Sequence, residues 1–324
     1  MKKLIRNTFT FFLFTTVFYV TFLFFWGLFA PHLFKPNINY RMHSYGHMHS
    51  RLSEIKDHNE IDILFLGSSH AYRGLDPRIF SEYGFKTFNL GSSAQTPTQT
   101  KVLLNRYLDI LNPKLVIYEV YPATFTLDGV ESSLDIIAND KNDLQSIKMS
   151  LTINNIRTYN TLVYGFIRDF LGLNKSVTEP VIKGEDKYVS GGFVEREMEF
   201  YQPSQFQKKE ISITSYQLES FSEIVQLLNS KKIELILVYA PITQVCYNSY
   251  VNTYHFDSLM KNYSNYYNFN EIVSLNDSLH FYDYDHLNQN GVTIFNKNLI
   301  EILLNKNTTS YNSELQSLES HDPF

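Results

Sequence analysis

The sequence predicts a three-layer α/β/α domain with a mainly parallel β-sheet, preceded by one N-terminal transmembrane helix. Three observations lead to this prediction. Residues 8–30 form an apolar run without a charged side chain. Short apolar runs typical of buried strands recur at 61–66, 114–120 and 233–239, and segments with helical periodicity separate them. A glycine and two serines follow the first of these runs, at the edge where a parallel sheet positions its ligands.

The N-terminal apolar run is long enough to cross the hydrocarbon core of a bilayer as a helix. Lys2, Lys3 and Arg6 precede it, which indicates a cytoplasmic N-terminus by the positive-inside rule. The one candidate cleavage motif ends at Ala30 among bulky neighbours, so an uncleaved signal anchor is favoured over a removed signal peptide. We therefore expect a single-pass membrane protein with residues 1–30 as its anchor and the rest outside the cytoplasm, in the periplasm or at the cell surface.

Residues 31–58 predict a polar stalk or linker, and the α/β domain is expected to span 59–304. Asp76-Pro77 and Thr96-Pro97 each place a capping side chain before a proline at the first helical position, which predicts a helix after each pair. The predicted elements are, in order, a strand at 61–66, a helix at 77–83, a strand at 86–89, a helix at 97–111 and a strand at 114–120.

Residues 125–210 interrupt this alternation with helical stretches and with a loop predicted at 174–188. We interpret 125–210 as an insertion, which either caps the site and influences substrate choice or is a structural excursion unrelated to substrate. The later elements are a helix at 216–229, a strand at 233–239 and a final helix at 291–304. Residues 305–324 are polar and predict a disordered tail.

Ser69 and the run Asp283-Tyr284-Asp285-His286 together contain the side chains of a Ser-His-Asp nucleophilic site. An Asp three residues before a His can direct its carboxylate at one imidazole nitrogen, which leaves the other nitrogen to take a proton from a serine. Each residue also has a purely structural interpretation. Ser69 could cap the helix that follows it, and His286 could be a turn histidine satisfied by Asp283.

Three short blocks resemble the SGNH/GDSL hydrolase superfamily, over roughly residues 60–125 and 230–300. They are Gly67-Ser68-Ser69, then Asn89-Leu90-Gly91, and finally Asp283 to His286. The resemblance implies that Ser69 is the nucleophile, His286 the general base and Asp283 its orienting carboxylate. It also implies that the backbone N–H groups of Ser69 and Gly91 form part of an oxyanion hole.

The chain departs from the pattern of that superfamily at two places. Ser68 replaces an aspartate that is not a member of the triad. The third block of the family carries an asparagine that donates to the oxyanion, whereas here Ala123 and Thr124 follow the corresponding strand. Losing one oxyanion donor costs on the order of a hundredfold in rate. The departure is consistent with a slower enzyme, with a substitute donor or with a non-catalytic domain, and a catalytically inactive glycan-binding or assembly protein is the competing interpretation.

Anchored relatives of this type, such as proteins of lipoteichoic acid D-alanylation and alginate acetylation, work on cell-surface polymers. The resemblance therefore implies an esterase or O-acyltransferase acting on a cell-surface polysaccharide or wall polymer, with a membrane acyltransferase as a partner and no cofactor. His70 could contact the substrate and Arg73 could bind an anionic group of a glycan. A structural role for His70 and a surface ion pair for Arg73 are the alternatives.

Composition limits the remaining possibilities. The formal net charge of −5 provides no basic surface for nucleic acid. The single cysteine, Cys246, is predicted to be a buried thiol rather than a nucleophile. Tyr282 and Tyr284 flank Asp283 and could form a platform for a sugar ring, although half-buried packing is the commoner role of such tyrosines. His43, His47 and His49 lie close together in the sequence and could bind a metal ion, but no cysteine or nearby carboxylate completes the set, so a polar linker is favoured there and no metal site is predicted.

Overall fold

The computed structural model describes residues 1–44, 46–174 and 177–319. The helices are α1 (Lys2–Phe29), α2 (Met48–Glu54), α3 (Ser69–Gly74), α4 (Pro77–Glu82), α5 (Pro97–Leu111), α6 (Val130–Asn139), α7 (Leu144–Ile153), α8 (Ile156–Phe170), α9 (Ser215–Ser230), α10 (Gln244–Tyr247), α11 (Thr253–Lys261), α12 (Phe269–Ile272) and α13 (Gln289–Glu319). The strands are β1 (Ile63–Leu66), β2 (Thr87–Asn89), β3 (Leu115–Glu119), β4 (Ile182–Lys183), β5 (Asp186–Val189), β6 (Phe193–Arg196), β7 (Glu234–Tyr239) and β8 (Asn265–Asn268).

The central sheet has the strand order β2-β1-β3-β7-β8, and every neighbouring pair is parallel. This order reverses direction between β1 and β3, which is the point where open α/β sheets leave a crevice at the carboxyl ends of their strands. The predicted fold class and the four predicted strands are confirmed. The edge strand β8 was not predicted, because its sequence, Asn-Tyr-Tyr-Asn, has too few apolar residues to resemble a buried strand.

Alternate side chains of each central strand point to opposite faces of the sheet, and a separate core covers each face. One face, which includes Leu64 and Val116, packs against α5 and α9. The other face, which includes Phe65 and Ile117, packs against residues of α3, α4 and α13 such as Phe80 and Phe295. Because strand side chains alternate with a period of two, both faces must be apolar for the sheet to be buried between helices.

The segment 125–210 contains α6, α7, α8 and a separate antiparallel sheet with the order β4-β5-β6. The predicted loop at 174–188 is therefore partly wrong, since β4 and β5 form a hairpin there. A two-residue turn joins these strands, and Gly184 adopts the positive φ of +59° that such turns require. Because the flanking sequence is mostly polar, it lacks the apolar alternation that would have predicted these strands.

Part of the predicted stalk, 31–58, belongs to the folded domain. Helix α2 lies within it, and Met48, Leu52 and Ile55 are buried in the core on one face of the sheet. The Arg51 side chain is fully buried, where its Nε donates to the carbonyl of Gly192 at 2.9 Å. The spacing of the three apolar residues is that of an amphipathic helix. The segment was predicted to be a stalk because most of its other residues are polar.

Helix α1 is long and apolar enough to cross a membrane, by length and composition. Most of its large apolar side chains are exposed, but its C-terminal half packs along α8. Tyr19 donates to Asn160 at 2.7 Å, and Leu23 and Gly27 are buried against Tyr164.

At the other end of the chain, α13 continues past the predicted helix end at Leu304 as far as Glu319. Residues 320–324 of the predicted tail lie outside the described residues, and the disorder of 305–324 stays a prediction.

We expect Gly192→Ala to destabilise the protein far more than Gly184→Ala. Both glycines have a positive φ, which costs a non-glycine residue roughly 1–2 kcal/mol. A Cβ at Gly184 would meet no atom within 4 Å, whereas one at Gly192 would lie 2.3 Å from the carbonyl oxygen of Asn89. Chemical denaturation of both variants measures the difference, and equal losses in the free energy of unfolding would contradict the close approach.

Candidate active site

Ser69 lies at the carboxyl edge of the sheet because the chain turns sharply after β1. Gly67 makes this turn with a φ of +137°. A Cβ at Gly67 would lie 2.8 Å from the Cβ and the carbonyl oxygen of Glu119, so both the angle and the space require glycine. Ser68 then caps helix α3, accepting a hydrogen bond from the N–H of His70, and Ser69 is the first residue of that helix.

The structure brings Ser69, His286 and Asp283 together in the arrangement that the sequence predicted. His286 Nε2 lies 2.7 Å from Ser69 Oγ, and His286 Nδ1 lies 2.9 Å from Asp283 Oδ2. Asp283 is held in place by the backbone N–H groups of Asp285 and His286, which donate to its Oδ1 at 2.9 and 2.7 Å. This geometry can transfer a proton from the serine hydroxyl to the imidazole.

A second carboxylate, Asp285, faces the same imidazole nitrogen. Its Oδ1 lies 2.9 Å from His286 Nδ1, but in an orientation that does not form a hydrogen bond. Its Oδ2 accepts a hydrogen bond from the Tyr121 hydroxyl at 3.3 Å. The sequence analysis assigned no role to Asp285, although it stands in the same four-residue run. Its position relative to His286 depends on the turn, which spacing alone does not determine.

These two carboxylates set the electrostatics of His286. Burial lowers its pKa, but the hydrogen bond with Asp283 and the charge of Asp285 outweigh burial and raise the pKa to about 9. Burial also acts to raise the pKa of Asp283, yet His286 and two backbone N–H groups lower it to about 2. His286 is therefore an imidazolium at neutral pH and becomes a base under mildly alkaline conditions.

His70 lies under the site rather than in its opening. The ring stacks on His286 at 4.7 Å between centroids, and its Nδ1 lies 3.1 Å from Ser68 Oγ. Burial and the neighbouring His286 charge lower the His70 pKa to about 4, so its ring is neutral. The structure thus favours the structural alternative for His70 over a substrate contact.

Ser68 connects this layer to Glu119, another residue that the sequence analysis missed. The Ser68 hydroxyl donates to Glu119 Oε2 at 3.2 Å at the end of β3. Burial raises the pKa of Glu119 to about 8, so the carboxyl group is mostly protonated at neutral pH. A neutral acid here leaves the two aspartates of the 283–286 run as the negative charges beside His286.

The two predicted oxyanion donors differ in availability. The N–H of Ser69, at the first position of α3, donates to no acceptor among the described residues. The N–H of Gly91 instead donates to Asn89 Oδ1 at 3.0 Å, which differs from its predicted role. Position 91 requires glycine for steric reasons, because a Cβ there would lie 2.9 Å from the carbonyl oxygen of Ser68.

Arg73 forms an ion pair and is not available as a free cation. Both of its terminal nitrogens donate to the carboxylate of Asp186 in β5 at 2.7 Å, and its side chain is largely buried. This contact corrects the predicted role of Arg73 in binding an anionic group. It also attaches the 125–210 insertion to the helix that begins with Ser69.

The tyrosines around Asp283 do not offer an open stacking surface at His286. The Tyr282 ring stacks on His286 at 5.5 Å between centroids, and the guanidinium of Arg196 lies 4.8 Å from the Tyr282 ring centroid. Tyr284 is partly exposed and packs on Phe206. These contacts favour the packing role that the sequence analysis left as the alternative.

The residues near the site also include a group of potential metal ligands and a thiol. His70, Asp285 and His286 offer ligand atoms within 4.8 Å of one another, but both nitrogens of His286 already have partners, Asp283 at Nδ1 and Ser69 at Nε2, so a metal ion there would break one of these contacts. Cys246 is buried, as predicted, and burial raises the pKa of its thiol to about 11. A thiol with this pKa is a poor nucleophile at neutral pH.

Comparison with known proteins yields no significant match to a family model or to a curated protein. Solved structures do match, among them a proposed acylhydrolase from Bacteroides fragilis NCTC 9343, with 14% identity, a TM-score of 0.40 and coverage of 83% of this chain and 99% of that one. A GDSL-like lipase from Bacteroides thetaiotaomicron VPI-5482 matches with 12% identity, a TM-score of 0.39 and coverage of 80% and 98%.

A third structure, described as a gut microbial diltiazem-metabolizing enzyme, matches with 12% identity and a TM-score of 0.28 over 75% of this chain and 47% of that one. Similarity at these levels does not transfer activities or residue roles. The function of this chain has to be inferred from its own site.

Proposed function

We propose that the chain is a membrane-anchored serine esterase or O-acyltransferase of the SGNH/GDSL superfamily. The observation that carries the proposal is the 2.7 Å contact between Ser69 Oγ and His286 Nε2, with carboxylate oxygens 2.9 Å from the opposite nitrogen. These residues come from opposite ends of the chain and meet at the carboxyl edge of the sheet. A helix cap would require neither the histidine nor the aspartates.

In the proposed reaction, Ser69 Oγ attacks an ester carbonyl while His286 Nε2 takes its proton. The Ser69 N–H stabilises the oxyanion, and His286 then returns the proton to the leaving alkoxide, which leaves an acyl group on Ser69. Attack by water on this acyl-enzyme completes a hydrolysis, whereas attack by a sugar hydroxyl completes a transfer. Asp283 orients the imidazole, and both aspartates stabilise the imidazolium form.

We further propose that α1 anchors the protein with its N-terminus in the cytoplasm and its domain outside. The exposed apolar surface of α1 and the basic residues before its apolar run support this orientation. A cell-surface polysaccharide or wall polymer is the proposed substrate, and a membrane acyltransferase is the proposed partner. Both proposals rest on the resemblance described above.

The competing function is a non-catalytic glycan-binding or assembly protein with the same fold. Two observations favour it. The N–H of Gly91 is engaged by Asn89, and no asparagine follows β3 to supply a further oxyanion donor. Such a protein would keep the fold and bind a polymer without forming an acyl-enzyme at Ser69.

Treatment of the full-length protein in detergent with a fluorophosphonate should give one covalent adduct, detected by intact-mass spectrometry. We expect Ser69→Ala to abolish the adduct, because an activated serine is required for it. Ser92→Ala provides a matched control that should label like the wild type. A folded protein that forms no adduct would support the non-catalytic alternative.

Ester hydrolysis should increase as the pH rises through about 9, because His286 acts as a base only after it loses its proton. Asp285→Asn removes a negative charge 2.9 Å from Nδ1 and should lower this apparent pKa by about one unit or more. The pH profile of kcat/KM for an aryl acetate measures the shift. The control is Asp109→Asn, which changes an exposed side chain in the same way. Identical pH profiles for the wild type, Asp285→Asn and Asp109→Asn would contradict the proposed influence of Asp285.

The membrane topology predicts the outcome of proteolysis on spheroplasts. Protease added from outside should degrade the domain while a cytoplasmic marker protein stays intact. Complete protection of the domain until the membrane is lysed would overturn the proposed orientation.

A further inference from the structure

A polar cavity of about 350 Å³ lies between α6, the start of α8 and the segment that precedes α2. Apart from Val130 and Leu134, the side chains that line it are polar or charged. This volume is at the lower end of the range for small-molecule sites. None of the residues proposed above for the reaction of Ser69 lines the cavity.

Two buried oxygen atoms at this cavity have no hydrogen-bond partner among the described residues. Asp135 is 2% exposed and lines the cavity from α6. Its Oδ1 accepts a hydrogen bond from Asn139 at 2.9 Å, whereas its Oδ2 accepts none. Asn39 also lines the cavity, and its Oδ1 likewise lacks a partner. Both oxygens can therefore accept hydrogen bonds from a ligand that carries donors.

The protonation state of Asp135 restricts which functional groups of a ligand can bind there. Burial raises the pKa of Asp135 to about 7, so the carboxyl group exchanges between an acceptor form and a donor form near neutral pH. A hydroxyl group suits both forms, because it donates one hydrogen bond and accepts others. A ligand with fixed ammonium donors or fixed carboxylate acceptors would suit only one of them.

The charges around the cavity also favour a neutral polyhydroxylated ligand. Glu131 and Asp128 bring carboxylates to its exposed rim, and Arg41 and Arg157 bring guanidinium groups. The guanidinium groups disfavour a metal cation, and the carboxylates disfavour an anion. Sugar hydroxyls can donate to the carboxylates and accept from the guanidinium groups at the same time.

A short loop connects the cavity to the Ser69 turn. Glu131 accepts a hydrogen bond from Ser93 Oγ at 3.1 Å, and Ser93 stands two residues after Gly91. Gly91 itself packs against the carbonyl oxygens of Gly67 and Ser68. A polymer held in the cavity is therefore held beside the loop that borders the nucleophile.

We propose that this cavity is a subsite for one sugar unit of a polysaccharide, with Asp135 and Asn39 as its buried contacts and Glu131 and Arg157 as its rim contacts. The role of the subsite in an acylation or deacylation rests on the proposed function, whereas the binding itself does not. The ligand class is a neutral or N-acetylated sugar.

The test uses the full-length protein in a zwitterionic detergent, since a detergent with a sugar headgroup would compete. Glucose, N-acetylglucosamine, cellotetraose and chitotetraose are titrated, and binding is measured by saturation-transfer NMR. At least one tetrasaccharide should bind with a Kd in the millimolar range or below. The double variant Glu131→Gln/Arg157→Gln should weaken that binding by about tenfold or more, because it removes two charged hydrogen-bonding groups.

The control double variant Glu223→Gln/Lys231→Gln, on α9 and just beyond its end, should bind like the wild type. Asp135→Asn is an additional variant that should weaken binding, and the rim variant carries the test if Asp135→Asn fails to fold. Absence of binding by every sugar in the panel, or equal binding by the rim variant and the wild type, would overturn the proposal.

Failure of this proposal can be distinguished from failure of the proposed function. Ser69→Ala should bind the same sugar with unchanged affinity, and the rim variant should still form the fluorophosphonate adduct. Sugar binding without an adduct would remove the catalytic proposal alone, and an adduct without sugar binding would remove the subsite alone.

Discussion

The geometry of the site depends on the absence of a side chain at Gly67. Its φ of +137° ends β1 and turns the chain within one residue, and the side chain of Glu119 occupies the space that a Cβ would need. Because of this turn, Ser68 can cap α3, and the hydroxyl of Ser69 can face the loop that carries His286. The turn lies next to the reversal of strand order between β1 and β3, where neighbouring loops diverge and leave room for a ligand.

The electrostatics around His286 both help and limit the proposed chemistry. Two aspartates close to one ring nitrogen stabilise an imidazolium, which forms as the serine loses its proton. The same stabilisation keeps the resting histidine protonated near neutral pH, when it cannot accept a proton. Neutral His70 and the mostly protonated Glu119 below the site add no further charge, so the balance is set by the aspartates and by burial.

The sequence was sufficient to predict four of the five strands of the central sheet and the meeting of Ser69, Asp283 and His286. The strands at 61–66, 114–120 and 233–239 are long and apolar, and the resemblance specified Ser69, Asp283 and His286 directly. What it could not predict depends on tertiary contacts. Arg73 forms an ion pair with Asp186 of the insertion, and the N–H of Gly91 donates a hydrogen bond to the side chain of the residue two positions earlier.

In two other segments the local composition does not indicate the structure that forms. The polar segment before residue 58 contains α2 because three well-spaced apolar residues are enough to dock a helix onto a core. The hairpin β4–β5 forms in a mostly polar sequence because a two-residue turn and pairing with β6 stabilise it. The contacts that dock α2 join residues far apart in the chain, so a local pattern carries little information about them. The strand pairs of the hairpin are local, but their residues are too polar to show the alternation typical of a half-buried strand.

In the proposed membrane-anchored arrangement, the packing of α1 along α8 has a consequence for how the domain reaches its substrate. A helix of 28 residues is about 42 Å long, which exceeds the roughly 30 Å of a bilayer core. Its C-terminal half is fixed to the domain by Tyr19, Leu23 and Gly27 instead of leading into a flexible tether. The domain would then keep a constant height and tilt above the lipid surface, so its effective concentration would be high for polymer segments within that layer and would fall steeply beyond it.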